Sequence, residues 1–386
     1  MSETPTRTWR VRTLTAAADP EGEPGAVEAA IDFLHRARHR LERRGYAVQT
    51  LRVATPPLAR WLDWAGEGAV GRVERLDEVC AQAGIFLGLG PVLDGRGHPA
   101  FPAWAAEVMR RTEWIAFAAR VVAPEQGGDP GAARSAAGAM TAIAAATPGG
   151  LGNFLFAAAA GDPAGTPFFP AATFPADGVF SVGVESPAIL AAAIQGAAED
   201  PVAAMASALD RELAPLAELA REIGRAAGRR FLGIDTSPAP APEASIGEVI
   251  ETLSGRPFGA AGTVTACARI TAALRRVTVE TCGASGLMLP VLEDPVLARR
   301  AAQGRYGIAD LLLCSTVCGT GLDVVPLPGD VPAEALERLI LDVATLSARH
   351  GKPLSVRLLP IPGKDVGEVV SFDNPYLTEG VVMGLP

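Results

Sequence analysis

The chain has 386 residues, 49% of them hydrophobic and 20% charged, with a formal net charge of −9. That length accommodates one large α/β domain or two ordinary ones, and the apolar share excludes wholesale disorder. The negative field argues against nucleic acid or a membrane surface as a general partner, because both are polyanions.

The first twelve residues are polar and lack an apolar run of signal-peptide length. Five cysteines spread over the chain do not make a disulfide framework, so a reducing, cytoplasmic setting is expected. A strand is expected over 9–15. A helix follows over 25–44, with Val27, Ala30, Ile31, Leu34 and Leu41 on one stripe. The spacing then predicts a strand over 46–53, a turn at Pro56-Pro57, a helix over 71–83, and strands over 85–89 and 117–122. The charge-free stretch 135–161 is too weakly apolar, and too interrupted by Pro148-Gly149-Gly150, to span a membrane.

Further on, strands are expected over 179–185, 231–235, 277–281, 310–314 and 354–359. Helices are expected over 186–199, 245–253, 263–275, 294–303 and 332–350. The Ala-rich region 202–229, broken by Pro215, reads as a pair of helices. Residues 237–244 read as a functional loop between strand and helix. About ten strands and as many helices predict a parallel or mixed sheet covered by helices, in a single α/β domain over 1–386 with a peripheral helical insertion near 187–229.

In such sheets, chemistry gathers where strands end. Four of these edges are polar: Ser181 to Pro187, Gly233 to Pro238, Cys282 to Gly286, and Leu311 to Asp323. Cys318 precedes Gly319-Thr320-Gly321, a turn able to carry a thiol into a cavity, or equally a tight turn around a small buried hydrophobe. Glu185 and Asp235 follow apolar runs, where an uncompensated carboxylate is costly. With Asp323 they read as converging acids for Mg²⁺, Mn²⁺ or Ca²⁺ or for acid–base work, or else as helix caps. Glu248 has capping-box spacing after Ser245. His35 and His39 stand among arginines and read as solvated, while His98 has no evident partner. Arg12, if on a central strand, requires a carboxylate. Lys364, one of two lysines, anchors an anion or simply occupies a turn.

Taken together, several segments resemble the uncharacterised "PFL family protein" group, placed near the pyruvate formate-lyase barrels. They are Arg12 to Thr15, Asn153-Phe154-x-Phe156, Thr166 to Ala171, Gly183 to Glu185, Gly233 to Pro240, Ser245 to Glu248, Ser285 to Asp294, Val317 to Asp323, and Arg357 to Lys364. The resemblance covers most of the chain. It implies a ten-stranded α/β barrel of two five-stranded halves with peripheral helices, a central loop bearing Cys318, and a homodimer. Adjacent loop cysteines are missing, as is an Arg-Val-x-Gly-aromatic segment near the C-terminus, so glycyl radical chemistry is not expected.

The expected function is a cytosolic enzyme acting on a small anionic metabolite of keto or amino acid type inside the barrel, by lyase or hydrolase chemistry. Cys318, Asp235, Glu185 and Asp323 are the catalytic candidates. Arg12, Asn153, Ser237, Ser285, Gly319, Arg357 and Lys364 are the substrate-binding ones. Two alternatives stand: a hydrolase or aldol-type lyase with a divalent cation on Glu185, Asp235 and Asp323, and a non-catalytic metabolite-binding protein.

Overall fold

In a computed structural model, which describes residues 7–386 apart from 23–24, 164, 175 and 196–198, strands and helices alternate along most of the chain. The first half runs β1 (Val11–Ala17), α1 (Ala26–Glu42), β2 (Val48–Ala54), α2 (Ala69–Ala83), β3 (Phe86–Asp94), α3 (Phe101–Arg111), β4 (Ile115–Val121), α4 (Pro130–Ala146) and β5 (Phe156–Ala160). Next come β6 (Val179–Val184), α5 (Pro187–Ile194), α6 (Pro201–Ala227), β7 (Arg230–Asp235), α7 (Ile246–Ser254), α8 (Thr263–Leu274), α9 (Pro295–Ala302) and α10 (Ile308–Ser315). The chain ends with β8 (Gly321–Pro328), α11 (Ala333–His350), β9 (Leu354–Ile361) and a small hairpin, β10 (Val369–Val370) with β11 (Gly380–Val381). No described helix is long and apolar enough to cross a membrane.

Nine strands form one sheet in the order β7-β6-β1-β2-β3-β4-β5-β9-β8. β1 to β5 are parallel neighbours. The parallel pair β6–β7 joins β1 antiparallel, and the parallel pair β8–β9 joins β5 antiparallel. Parallel strands need both faces covered. The outer cover is helical: α1 buries Val27, Ala30, Ile31, Phe33, Leu34, Ala37 and Leu41, the stripe its periodicity marks.

The expected α/β class is therefore present, with nine regular strands in place of ten. The segment expected as a strand over 277–281 makes only an isolated parallel bridge, Thr281 to Ile234 of β7. A second bridge joins Pro290 to Asp323 of β8. The expected strand over 310–314 is a helix, α10. Its leucines are good helix formers without β-branching, and Asp310 accepts the Gly307 N–H at 2.8 Å to start it. The expected helical pair over 202–229 is one helix, α6, started by Asp200 and continuing through Pro215. Of the helix expected over 186–199, α5 takes Pro187–Ile194, and residues 196–198 lie outside the described ones.

The connection from β5 to β6 brings Phe168 and Phe169 to the inner face of the sheet. Two glycines make room for them. A Cβ on Gly183 of β6 would lie 2.9 Å from the Phe168 ring, and one on Gly88 of β3 would lie 3.2 Å from the Phe169 ring. These rings, with Met288, stand in the walls of two adjoining interior chambers.

Candidate functional site

The inner face of the sheet carries charge. Arg12 (β1), Asp323 (β8) and Arg357 (β9) are all buried, as are Glu185 and Glu293 in the loops nearby. They form an alternating ladder. Exposed Glu243 pairs with Arg10 at 2.7 Å, and Arg10 with Glu185 at 2.5 Å. Arg12 then binds Glu185 at 3.1 Å and Glu293 at 2.9 Å. Arg357 binds Glu293 at 2.6 Å and Asp323 at 2.8 Å. The carboxylate required by Arg12 is thus supplied twice. Such a ladder keeps each desolvated charge matched while holding the guanidinium planes rigid.

The first chamber spans about 550 Å³, part of it open to solvent. Its wall includes Arg12, Arg52, Glu293 and Arg357 among the aromatic rings of Phe86, Phe154, Phe169 and Tyr376. The Arg12 guanidinium lies 5.2 Å from the Tyr376 ring centre, and that of Arg357 lies 4.9 Å from Phe154. The second chamber, about 710 Å³, is bordered by Asp162, Thr166, Ser237, Gly319, Thr320, Asp323, Ser355 and Arg357. Phe168, Phe169, Met288 and Arg357 belong to both walls.

Arg52 of β2 is the residue that the sequence reading missed. It faces the first chamber, 4.7 Å from the Phe169 ring centre, and makes no ion pair or hydrogen bond among the described residues. Burial, aided by the charges of Arg12 and Arg357 and opposed by Tyr376 and Glu293, lowers its pKa to about 9, which leaves it a cation at pH 7. The signal was the alternation Thr50, Leu51, Arg52, Val53: a charge between two apolar residues, with Thr50 and Arg52 on the inner face.

The other candidates separate by surroundings. Asp235 is enclosed: it accepts the Ser237 hydroxyl at 2.6 Å and the N–H groups of Ser237, Ala284 and Ser285, each at 3.0 Å. Burial pushes its pKa up against the pull of these donors. Glu185 spends both oxygens on Arg10 and Arg12. Asp323 gives Oδ1 to Arg357, while its Oδ2 takes no hydrogen bond among the described residues. Burial raises its pKa, opposed by Arg357. Among the described residues, no group of three or more His, Cys, Asp or Glu side chains is arranged to hold a metal ion. Glu185, Asp235 and Asp323, expected as cation ligands, answer to different partners.

Cys318 is buried in the turn between α10 and β8, and it belongs to neither chamber wall. Burial pushes its thiol pKa up, against the N–H groups of Gly321 and Thr320, the charge of Lys352 and the Ser315 hydroxyl. The Lys352 ammonium donates to the Cys318 carbonyl. The glycine after the thiol serves a close approach: a Cβ on Gly319 would lie 2.4 Å from Gly286 Cα.

Ser237 and Gly319 border the second chamber. Ser285 is occupied locally, accepting the Thr236 N–H at 3.2 Å and donating to the Cys282 carbonyl at 3.0 Å. Asn153 donates to the Met140 carbonyl at 2.8 Å, fastening the turn before β5 to α4, and faces neither chamber. Lys364, expected as an anion clamp, lies away from both chambers, 3.4 Å from Glu368. It occupies a turn that follows β9.

A model of the family described as Uncharacterised ACR (DUF711) matches residues 21–373. The chain belongs to that family. A UPF0210 protein of Pyrobaculum islandicum is 30% identical over 398 residues, covering 96% of this chain and 87% of the relative. Another, from Desulforudis audaxviator, is 28% identical over 391 residues, covering 92% and 85%. The match to the DUF711 family takes in α1 through β10, so it includes Arg52, Glu293, Asp323 and Arg357.

Proposed function

We propose that this DUF711 protein is an enzyme acting on a small carboxylate-bearing metabolite inside the sheet, with Arg52 as the counter-charge for the carboxylate. The single observation that carries the reading is a half-buried cation on the inner face of the sheet, facing a chamber and making no ion pair among the described residues, since nearby Glu293 spends both oxygens on Arg12 and Arg357. An unpaired buried charge is strongly unfavourable. A ligand carboxylate in the first chamber supplies the missing partner bidentately, while the aromatic wall takes its carbon body. Asp323 is the group for proton transfer, since it retains an oxygen free of hydrogen bonds. This favours the keto or amino acid class expected from the sequence, with lyase or hydrolase chemistry. The Cys318 thiol, facing neither chamber, has no part in the scheme.

The same reading extends to architecture. The segment 281–290 meets β7 at one end and β8 at the other, both parallel. We propose that it closes the sheet as an irregular tenth stave, in the manner of the pyruvate formate-lyase barrels. Five unpaired thiols suit a cytosolic setting.

Calorimetric titration with hexanoate, benzoate and phenylacetate tests the binding claim. Saturable binding is expected for at least one, weakened roughly tenfold or more by Arg52→Met. Absence of saturable binding for all three, or equal binding by the variant, refutes it.

A further inference from the structure

The two chambers hold opposite unspent charges. In the first, Arg52 makes no ion pair among the described residues, and Glu293 in the same wall is committed to Arg12 and Arg357. In the second, Asp323 has an oxygen that meets no donor among the described residues. The ladder itself leads to this imbalance, because four carboxylates (Glu243, Glu185, Glu293, Asp323) alternate with only three guanidinium groups (Arg10, Arg12, Arg357). Its inner end is therefore an acid. Glu185 and Glu293 use both oxygens on arginines, and Asp235 uses both on backbone and hydroxyl donors.

The backbone beside Asp323 is strained. Val324 has a φ of 48°, the left-handed region that a β-branched residue rarely adopts, and the pairing of β8 with β9 slips between Leu322 and Val325. Strain of this kind persists where the surrounding structure fixes a side chain in a required direction. Here the adjoining side chain is the Asp323 carboxylate, in the chamber wall.

On the reading that the first chamber takes a carboxylate, we infer that the substrate is a zwitterion: an amino acid whose carboxylate meets Arg52 and whose ammonium donates to Asp323 Oδ2. Its carbon body lies along Phe168, Phe169 and Met288, the side chains shared by both chambers. A plain monocarboxylate leaves Asp323 without a donor. A dicarboxylate sets a second anion against it, so discrimination comes from repulsion as well as attraction.

The test compares straight-chain ω-amino acids of roughly three to eight carbons, leucine and phenylalanine with their matched monocarboxylates and dicarboxylates, by calorimetry at pH 7. The wild type is expected to bind at least one amino acid about tenfold more tightly than its matched monocarboxylate. In Asp323→Asn that ratio falls to about one, and Arg52→Met weakens both ligand types. If monocarboxylates bind through Arg52 but no amino acid gains over its match, or dicarboxylates bind best, the zwitterion is refuted and the first chamber's role stands. If none of the probes binds, both are refuted. The wild-type ratio decides the matter alone should Asp323→Asn fail to fold.

Discussion

Asp235 and Asp323 are both buried acids, Asp323 in the wall of the second chamber and Asp235 behind it, bonded to the wall residues Ser237 and Ala284, and the fold treats them oppositely. Asp235 is surrounded by four donors that fasten the turn over 283–286 to the end of β7. Asp323 has one arginine partner on one oxygen. A saturated carboxylate organises the structure, whereas one with spare acceptor capacity can meet a ligand. Burial alone does not separate the two roles. The inventory of donors does.

The largest expected effect breaks the first half of that comparison. Asp235→Ala strands four buried or half-buried donors, each costing about 1–3 kcal/mol when unmet. A loss of about 4 kcal/mol or more in unfolding free energy is expected from urea titration, and a loss under about 1 kcal/mol would show that the turn does not depend on this residue.

Asp323→Asn should cost less, about 1–2 kcal/mol, because the amide oxygen can still accept from Arg357. Its pH dependence sharpens the contrast. The folded state holds the Asp323 proton above the ordinary 3.8, by burial and despite Arg357, with Glu293 adding to the rise and Arg12 opposing it. Stability contributed by that proton is complete below 3.8 and is lost as pH rises through the raised value. Asp323→Asn should therefore gain on the wild type between pH 4 and pH 7 in urea midpoints. The reverse trend would mean that Arg357 outweighs burial.

Cys318→Ala should cost about 1–2 kcal/mol through lost packing, with ligand affinity unchanged in calorimetry. A collapse of binding would return the thiol to the site.

Much of this was legible in the chain. The charge on Arg12, in an inner strand, demanded a carboxylate, and Glu185 and Glu293 supply it. Arg52 carried the same alternation and was overlooked, because nothing in a sequence distinguishes a paired inner arginine from an unpaired one. The Cys318 turn left two readings open, and its packing favours the tight turn. Its glycines invite a mobile loop, yet a Cβ on Gly319 would press on Gly286 and one on Gly321 would lie 2.4 Å from the Ser355 carbonyl. They permit close packing rather than delivery of a thiol. Leu311 to Leu313 read as a strand because an apolar run lacks a period, and the Asp310 cap decided for helix.

The central claim is that Arg52 makes no ion pair among the described residues, and the unfolding free energy of ligand-free Arg52→Met tests it most directly. Removing an unpaired, half-buried cation should leave stability within about 1 kcal/mol of wild type or raise it. A loss of about 3 kcal/mol or more would mean that Arg52 already has its partner inside the fold, and would contradict the account.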